Sequence, residues 1–247
     1  MCPSFRFALI ALLVASGARA DPLQKLPPQY QRAPYSLMSL SVGYPNQGWQ
    51  LRAKRLKRSE HLRIKAGSES RAYGHPALVL MLARTAKQVA RGARGSVMLV
   101  GDLSSEPGGK LPGHTSHQSG RDADVGFFVT DAKGRAVLLD HFVAFDSEGR
   151  AKDNSGLLFD DWRNWLLLEA WAQDRRAGLS HIFVATPLKN RLLKWAAARP
   201  AFRKRVDQVA LLLKQPENSQ PHDDHFHVRI SCPKNQNEVC KEQSLAR

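Results

Sequence analysis

A six-residue stretch near the C-terminus, His225–Ile230, alternates between polar and apolar side chains. Such alternation is typical of a β-strand with one buried face, because successive side chains of a strand point to opposite sides. The pattern places His225, His227 and Arg229 on one face and three apolar residues on the face that packs against a core. The chain is therefore expected to contain a half-buried strand that presents two imidazoles to a polar environment.

A Gly-rich loop in the middle of the chain carries groups that could act together with these imidazoles. His114 and His117 lie three residues apart in this loop, and Asp124 follows seven residues after His117. Residues 122–129 predict a second strand, in which Asp122 and Asp124 share one face. Two polar loops, each leading into a strand, therefore supply histidines and a carboxylate that could form one site.

This set of side chains has the chemistry of a catalytic zinc site. Zinc binds histidine nitrogen and carboxylate oxygen, and catalytic sites combine three protein ligands with a water molecule. The most economical assignment takes His117, Asp124 and His227 as ligands of one catalytic Zn²⁺. His225, on the same strand face as His227, is then expected to act as the general base, because the pKa of an imidazole lies near neutral pH.

The roles of two further histidines, His114 and His222, stay open. Either could stabilise an oxyanion, orient a zinc ligand, bind a second ion, or lie at the polar rim of the site. For the whole set, the alternative is a group of solvated histidines with incidental affinity for metals. Arg229, on the same strand face as His225 and His227, could bind a substrate carboxylate or be a surface arginine.

A wider set of motifs covers about residues 49–240. They are Gly101-Asp102, Gly108-Gly109, Gly113-His114-x-Ser116-His117-Gln118-x-Gly120-x-Asp122-x-Asp124, and His222-x-x-His225-x-His227-Val228-Arg229 with Cys232-Pro233. Together these motifs resemble the penicillin-insensitive murein endopeptidases, which are zinc peptidases related to D-Ala-D-Ala peptidases, lysostaphin-type endopeptidases and hedgehog domains. The resemblance implies that the second histidine of the H-x-H motif binds the metal. It gives no alignment for residues 132–160.

The remaining pattern predicts an α+β fold, a single domain with a largely antiparallel central sheet flanked by helices. Few long crossovers separate the central strands, which favours antiparallel pairing, and the resemblance implies the same fold class. The predicted strands are 49–51, 62–64, 96–100, 122–129, 137–145, 182–185 and 225–230. The predicted helices are 76–91, a helix capped by Asp160 or Asp161 and ended by Gly178, 186–199 and 201–213. The buried stripe predicted for helix 76–91 consists of Leu78, Met81, Leu82, Thr85 and Val89.

The first twenty residues predict export. Arg6 precedes an apolar run, residues 7–16, and a small-x-small cleavage motif follows, so residues 1–20 are expected to be a signal peptide. The mature domain is then 21–247, with residues 21–46 as an extended N-terminal arm. No later apolar run is long enough to predict an integral membrane segment. The expected location is the periplasm.

Two cysteines remain after export, Cys232 and Cys240, and an even pair in an exported chain predicts a disulfide. The formal charge of the whole chain is +15, and +13 without Arg6 and Arg19. A positive charge of this size favours anionic partners, namely nucleic acid, an anionic membrane surface or an anionic cell-wall polymer. Export and the absence of a nucleic-acid-binding motif argue against nucleic acid.

The resemblance implies hydrolysis of D-alanyl–meso-diaminopimelate cross-links, with cross-linked peptides of peptidoglycan as the partner. Alternatives are a D,D- or L,D-carboxypeptidase that trims stem peptides and a non-catalytic, zinc-stabilised module that binds the cell wall. Ser231-Cys232-Pro233-Lys234 matches the S-x-x-K motif of serine enzymes, but Pro233 prevents the helix that this motif requires. The sequence leaves both a monomer and a homodimer open.

Overall fold

The computed structural model of the chain describes residues 21–215 and 220–242. The predicted signal peptide, residues 1–20, and the last residues of the predicted domain, 243–247, lie outside the described residues. No helix of the described ranges is long and apolar enough to cross a membrane.

The described residues form both helices and strands. The helices are α1 Pro76–Gly92, α2 Asp161–Gln173, α3 Thr186–Ala197, α4 Pro200–Arg203 and α5 Val206–Leu212. The strands are β1 Leu40–Tyr44, β2 Gln47–Leu51, β3 Lys54–Arg55, β4 Leu62–Ile64, β5 Tyr73–Gly74, β6 Met98–Val100, β7 Asp122–Gly126, β8 Val129–Thr130, β9 Ala136–Val137, β10 Leu158–Phe159, β11 Leu179–Phe183, β12 Leu213–Lys214 and β13 His225–Ile230.

A six-stranded sheet lies at the centre of the molecule, with the strand order β12-β11-β13-β7-β6-β4. The three inner pairs are antiparallel, whereas the outer pairs β4–β6 and β11–β12 are parallel. The predicted α+β fold with a largely antiparallel sheet is therefore confirmed, although the sheet is mixed at both edges.

The pairing of β7 with β13 determines which side chains meet across the sheet. Asp124 lies opposite His227, and Asp122 lies opposite Arg229. Between them, Ala123 is paired with Val228, and both are fully buried. Because both strands alternate with the same period, one face of the pair is apolar throughout and the other carries charged groups and imidazoles.

Helices pack against the apolar face of this sheet. Helix α1 begins at Pro76 and buries the predicted stripe, which consists of Leu78, Met81, Leu82, Thr85 and Val89. Helix α2 is capped by Asp160, whose carboxylate accepts from the Arg163 backbone N–H, and it buries Trp165 and Trp171 completely. Helix α2 contacts α1, α3 and α5, so the helices form one layer over the core.

Some predicted elements differ from the observed ones. The helix predicted at 201–213 is divided into α4 and α5, and Leu213 pairs with Ile182 at the edge of the sheet. The predicted strand 122–129 is interrupted after Gly126. The strand predicted at 137–145 is reduced to its first residue within β9. At Leu213, a pairing with a segment distant in the sequence ends the helix, and helical periodicity alone does not encode such a pairing.

Residues 21–46, expected to be an extended arm, instead form three short 3₁₀ turns and the strand β1, which pairs with β2. Leu26, Tyr30 and Leu40 are buried in a small cluster together with Val239. The burial of these apolar side chains removes them from water, which explains why the segment is compact.

Candidate metal centre

The polar faces of β7 and β13 meet the loop that precedes β7, and Asp124 lies where they converge. Three histidine nitrogens face its Oδ1 atom: His117 Nε2 at 3.3 Å, His225 Nε2 at 3.4 Å and His227 Nδ1 at 3.4 Å. His117 adopts a left-handed backbone conformation with φ of 68°. Such a conformation is uncommon for a residue with a side chain, and strained residues of this kind cluster at active sites.

Hydrogen bonds on the outer side of each ring direct the inner nitrogen toward Asp124. His117 donates from Nδ1 to the Leu103 carbonyl over 2.6 Å. His227 donates from Nε2 to Asp122 over 2.8 Å, and His225 donates from Nδ1 to Asp224 over 2.5 Å. Such outer acceptors fix the tautomer and orientation of a metal-binding imidazole.

The residues present fit a metal ion. His117 Nε2 and Asp124 Oδ1 are both buried and make no hydrogen bond within the described protein. A buried carboxylate oxygen and a buried imidazole nitrogen without a hydrogen bond are costly unless a cation lies between them. Imidazole nitrogens around one carboxylate are a donor set suited to zinc.

His114 faces the other oxygen of the Asp124 carboxylate, and its ring centroid is 4.3 Å from that of His117. Its Nδ1 is 3.7 Å from Asp124 Oδ2, and its Nε2 donates to Asp102 over 2.8 Å. The ligand atoms of His114, His117 and Asp124 all lie within 4.8 Å of one another, so these three residues could hold a metal ion. His114 therefore lies within the cluster of candidate metal ligands. Asp102, which also forms an ion pair with Arg71 at 2.9 Å, orients it.

His222 also lies beside the centre. Its ring centroid is 5.4 Å from that of His225 and 5.5 Å from that of His227, and its Nδ1 is buried without a hydrogen bond in the described residues. Burial and the neighbouring imidazoles lower the pKa of His222 to about 3. The structure thus brings together all six predicted residues: His114, His117, Asp124, His222, His225 and His227.

The charges at the centre are strongly coupled. Burial raises the pKa of Asp124, but the imidazoles of His117 and His225 outweigh it and hold that pKa well below its usual value. Burial lowers the pKa of His225, but Asp124 and Asp224 together raise it to about 10. In the metal-free protein, therefore, Asp124 carries a negative charge that attracts a cation.

Two residues next to the centre, Asp122 and Arg229, make contacts that the sequence pattern did not predict. Asp122, fully buried, accepts from His227 and from Arg229, whose Nε lies 2.5 Å from Asp122 Oδ1. Arg229, considered as a substrate-carboxylate binder or a surface arginine, is in fact buried and ion-paired. The alternation that places Asp122 and Asp124 on one strand face is the sequence feature from which a role for Asp122 at the centre could have been predicted. Nothing in the sequence indicated that Arg229 lies opposite it.

A sequence model described as "Penicillin-insensitive murein endopeptidase" matches residues 41–247 of this chain. The chain belongs to the penicillin-insensitive murein endopeptidase family. A relative of that name from Escherichia coli O9:H4 (strain HS) is 31% identical over 243 residues, covering 96% of this chain and 81% of the relative. Relatives of the same name from Escherichia coli (strain K12 / DH10B) and Shigella boydii serotype 18 are each 30% identical, with the same coverage of both chains.

In this member of the murein endopeptidase family, the predicted disulfide between Cys232 and Cys240 is confirmed. It closes a short segment after β13, and the two residues that follow this segment contact Arg121. There the fully buried Arg121 donates to the Lys241 carbonyl and to Glu242. The disulfide therefore helps to hold Lys241 and Glu242 against Arg121. The carboxylate of Glu242 neutralises the buried charge of Arg121, which directly precedes Asp122.

Proposed function

We propose that this chain is a periplasmic zinc metallopeptidase that hydrolyses D-alanyl–meso-diaminopimelate cross-links in peptidoglycan. The observation that carries the proposal is the convergence of three imidazole nitrogens on the buried Oδ1 atom of Asp124. Membership of the murein endopeptidase family supports the substrate class. The predicted signal peptide, residues 1–20, supports the location.

His117, Asp124 and His227 are the ligands in this proposal. His117 Nε2 and His227 Nδ1 both face Oδ1, whereas His114 faces Oδ2. His117, Asp124 and His227 would therefore hold the ion through Oδ1, while His114, which could also hold an ion together with His117 and Asp124, faces the other carboxylate oxygen. Zinc bound there supplies Lewis acidity and a water molecule whose pKa is lowered to about 7.

His225 is proposed as the general base. Its side chain is 19% exposed, compared with 8% for His227 and 1% for His117, so it borders the side from which water and substrate approach. A base must be unprotonated to accept a proton, yet Asp124 and Asp224 raise the pKa of His225 to about 10. A divalent cation on Asp124 offsets the charge responsible for most of this increase, so the role of His225 as a base depends on the occupied centre.

His114 and His222 complete the site. His114, held by Asp102, is placed to orient the second oxygen of Asp124 or to bind a second ion. The neutral His222 ring, beside His225 and His227, is placed to donate to a developing oxyanion.

Two other functions use the same centre. A D,D- or L,D-carboxypeptidase would remove one residue from an uncrosslinked stem peptide. A non-catalytic module would use zinc for stability alone, and the accessible His225 beside the ligands argues against it.

Mass spectrometry of muropeptides distinguishes these functions. Zinc-loaded mature protein is expected to convert purified D-alanyl–meso-diaminopimelate-linked dimers into monomers. A stem peptide shortened by one residue would indicate a carboxypeptidase, and intact substrates with a fully zinc-loaded protein would indicate a binding module.

The matched variants for this experiment are Asp124→Ala, which removes the central carboxylate, and Asp140→Ala, which removes a carboxylate that is 86% exposed. Dimer cleavage is expected to disappear in the first variant and to persist in the second. Equal cleavage by both would contradict the proposed centre.

A further inference from the structure

We infer that Phe142 is a positioning residue that holds the imidazole of His225 in its working orientation. The inference rests on the proposed function, because it concerns the residue that we assign as the base. Phe142 comes from residues 132–160, the part of the sequence for which the family resemblance gave no alignment.

Phe142 stacks on His225. The two ring centroids are 5.1 Å apart and the ring planes differ by 23°. The hydrogen bond from Nδ1 to Asp224 fixes one atom of the His225 ring but leaves rotation about that bond free. A flat aromatic surface against the ring removes this freedom, so the two contacts together define both the direction and the plane of the imidazole.

Two glycines provide the space that Phe142 occupies. A Cβ atom on Gly101 would lie 2.6 Å from Cζ of Phe142, and a Cβ on Gly126 would lie 3.0 Å from Cδ1 and Cε1. Gly126 is the strand partner of His225, and the Gly101 N–H donates to the carbonyl of Asp124. The phenyl ring therefore lies against the part of β7 that is paired with the base, and against Gly101, whose backbone is bonded to that of the central ligand.

The segment that carries Phe142 is held firmly although it lies outside any helix or strand. Its neighbours Val143 and Phe145 are 4% and 2% exposed. The Phe145 N–H donates to the Asp223 carbonyl over 2.8 Å, and Lys152 donates to the Asp223 carboxylate over 2.7 Å. Both bonds tie the segment to Asp223, two residues before His225, so the chain that carries Phe142 is attached to the chain that carries His225.

Lys65 supplies a further contact, because its Nζ lies 5.5 Å from the centroid of the Phe142 ring. A cation at this distance from an aromatic face is attracted to it. The ring is thus held by the glycine-lined space, by the cation and by the imidazole.

The test compares Phe142→Leu with Leu138→Ala in the full mature protein. Leucine keeps apolar bulk but removes the aromatic surface, and Leu138 is a 46% exposed residue of the same segment. For Phe142→Leu we expect unchanged zinc content, a KM for muropeptide dimers within about twofold, and a kcat lowered by about tenfold, because misplaced catalytic groups act slowly. Leu138→Ala is expected to match the wild type.

Proton NMR of the metal-free protein supplies a readout that does not depend on activity. The ring current of Phe142 should move the carbon-bound ring protons of His225 upfield, and Phe142→Leu should remove this shift. If the wild type shows the shift but cleaves no dimer, the stacking is correct and the proposed function is wrong. If Phe142→Leu leaves the shift and kcat unchanged, the inference is wrong.

A second variant tests the same contact without changing Phe142. Gly101→Ala should displace the phenyl ring and lower kcat, whereas adding Gly101→Ala to Phe142→Leu should cost nothing further. Leucine lacks the Cζ and Cε2 atoms that the new methyl group would meet. Additive losses, or a change confined to KM, would assign Phe142 to the fold or to direct substrate contact and would overturn the inference.

Discussion

His227 donates from Nε2 to Oδ1 of Asp122, which lies 2.8 Å away on the neighbouring strand. The same carboxylate accepts from the Arg229 side chain and from the His117 backbone N–H. Asp122 thus connects two of the proposed zinc ligands through one fully buried group. The Arg229 guanidinium compensates its charge, because an unpaired buried carboxylate would be unstable.

The first prediction concerns Asp122→Asn. The amide keeps the shape of the side chain but removes the charge that orients His227, so zinc affinity should fall by about 10–100-fold. Competition with a fluorescent zinc chelator measures this affinity. Asp140→Asn, on an exposed carboxylate, is the matched control and should bind zinc as the wild type does. Equal affinities would show that the Asp122 hydrogen bond does not contribute to the centre.

The second prediction separates ligands from base. His117→Ala, Asp124→Ala and His227→Ala should each lose the tightly held zinc ion. His225→Ala should keep it while dimer hydrolysis slows by about 10²–10⁴-fold, the usual effect of removing a general base. Elemental analysis and turnover at saturating zinc are the measurements. A zinc-free His225→Ala whose activity returns with excess zinc would make His225 a ligand.

The third prediction concerns the disulfide. Peptide mapping of the exported protein without reduction should find Cys232 joined to Cys240. The double variant Cys232→Ser/Cys240→Ser should lose about 2–3 kcal/mol of unfolding free energy, the value expected for a loop of this length. Denaturant unfolding measures the loss, and wild-type stability in the variant would contradict it.

The fourth prediction concerns His75, which caps helix α1 by accepting from the Ala77 N–H. Burial lowers the pKa of His75 to about 4, and the charge of Arg121 acts in the same direction. In the unfolded chain the pKa of His75 is near 6.5. Between about pH 6.5 and pH 4, His75 is therefore protonated in the unfolded chain but mostly neutral in the folded protein. Stability should fall as the pH decreases from about 6.5 to about 4, by on the order of 2 kcal/mol.

His75→Asn isolates this effect, because asparagine caps a helix without titrating. Denaturant unfolding of both proteins between pH 7 and pH 4 should show a smaller decrease for the variant. Identical pH dependence in the two proteins would assign the acid sensitivity to other groups.

Patterns of residues close together in the sequence determined several helices and strands of this protein and indicated its candidate metal ligands. Strand β13 has the predicted bounds, and helix α1 buries the predicted stripe, because periodicity and capping residues act within a few positions of the chain. His117, Asp124 and His227 were likewise predicted as zinc ligands from residue type before any distance was known, since few side chains bind that metal, and the structure brings these three side chains together.

Only the tertiary structure decided how these elements meet. The register of β7 against β13 places Asp122 opposite Arg229, and a segment without regular structure places Phe142 on His225. The compact N-terminal segment, residues 21–46, depends in the same way on burial with Val239. Each of these contacts joins residues distant in the sequence, and its free energy depends on the packing of the whole domain. Sequence patterning, which records only neighbours along the chain, therefore identified the groups of the centre but not the contacts that orient them.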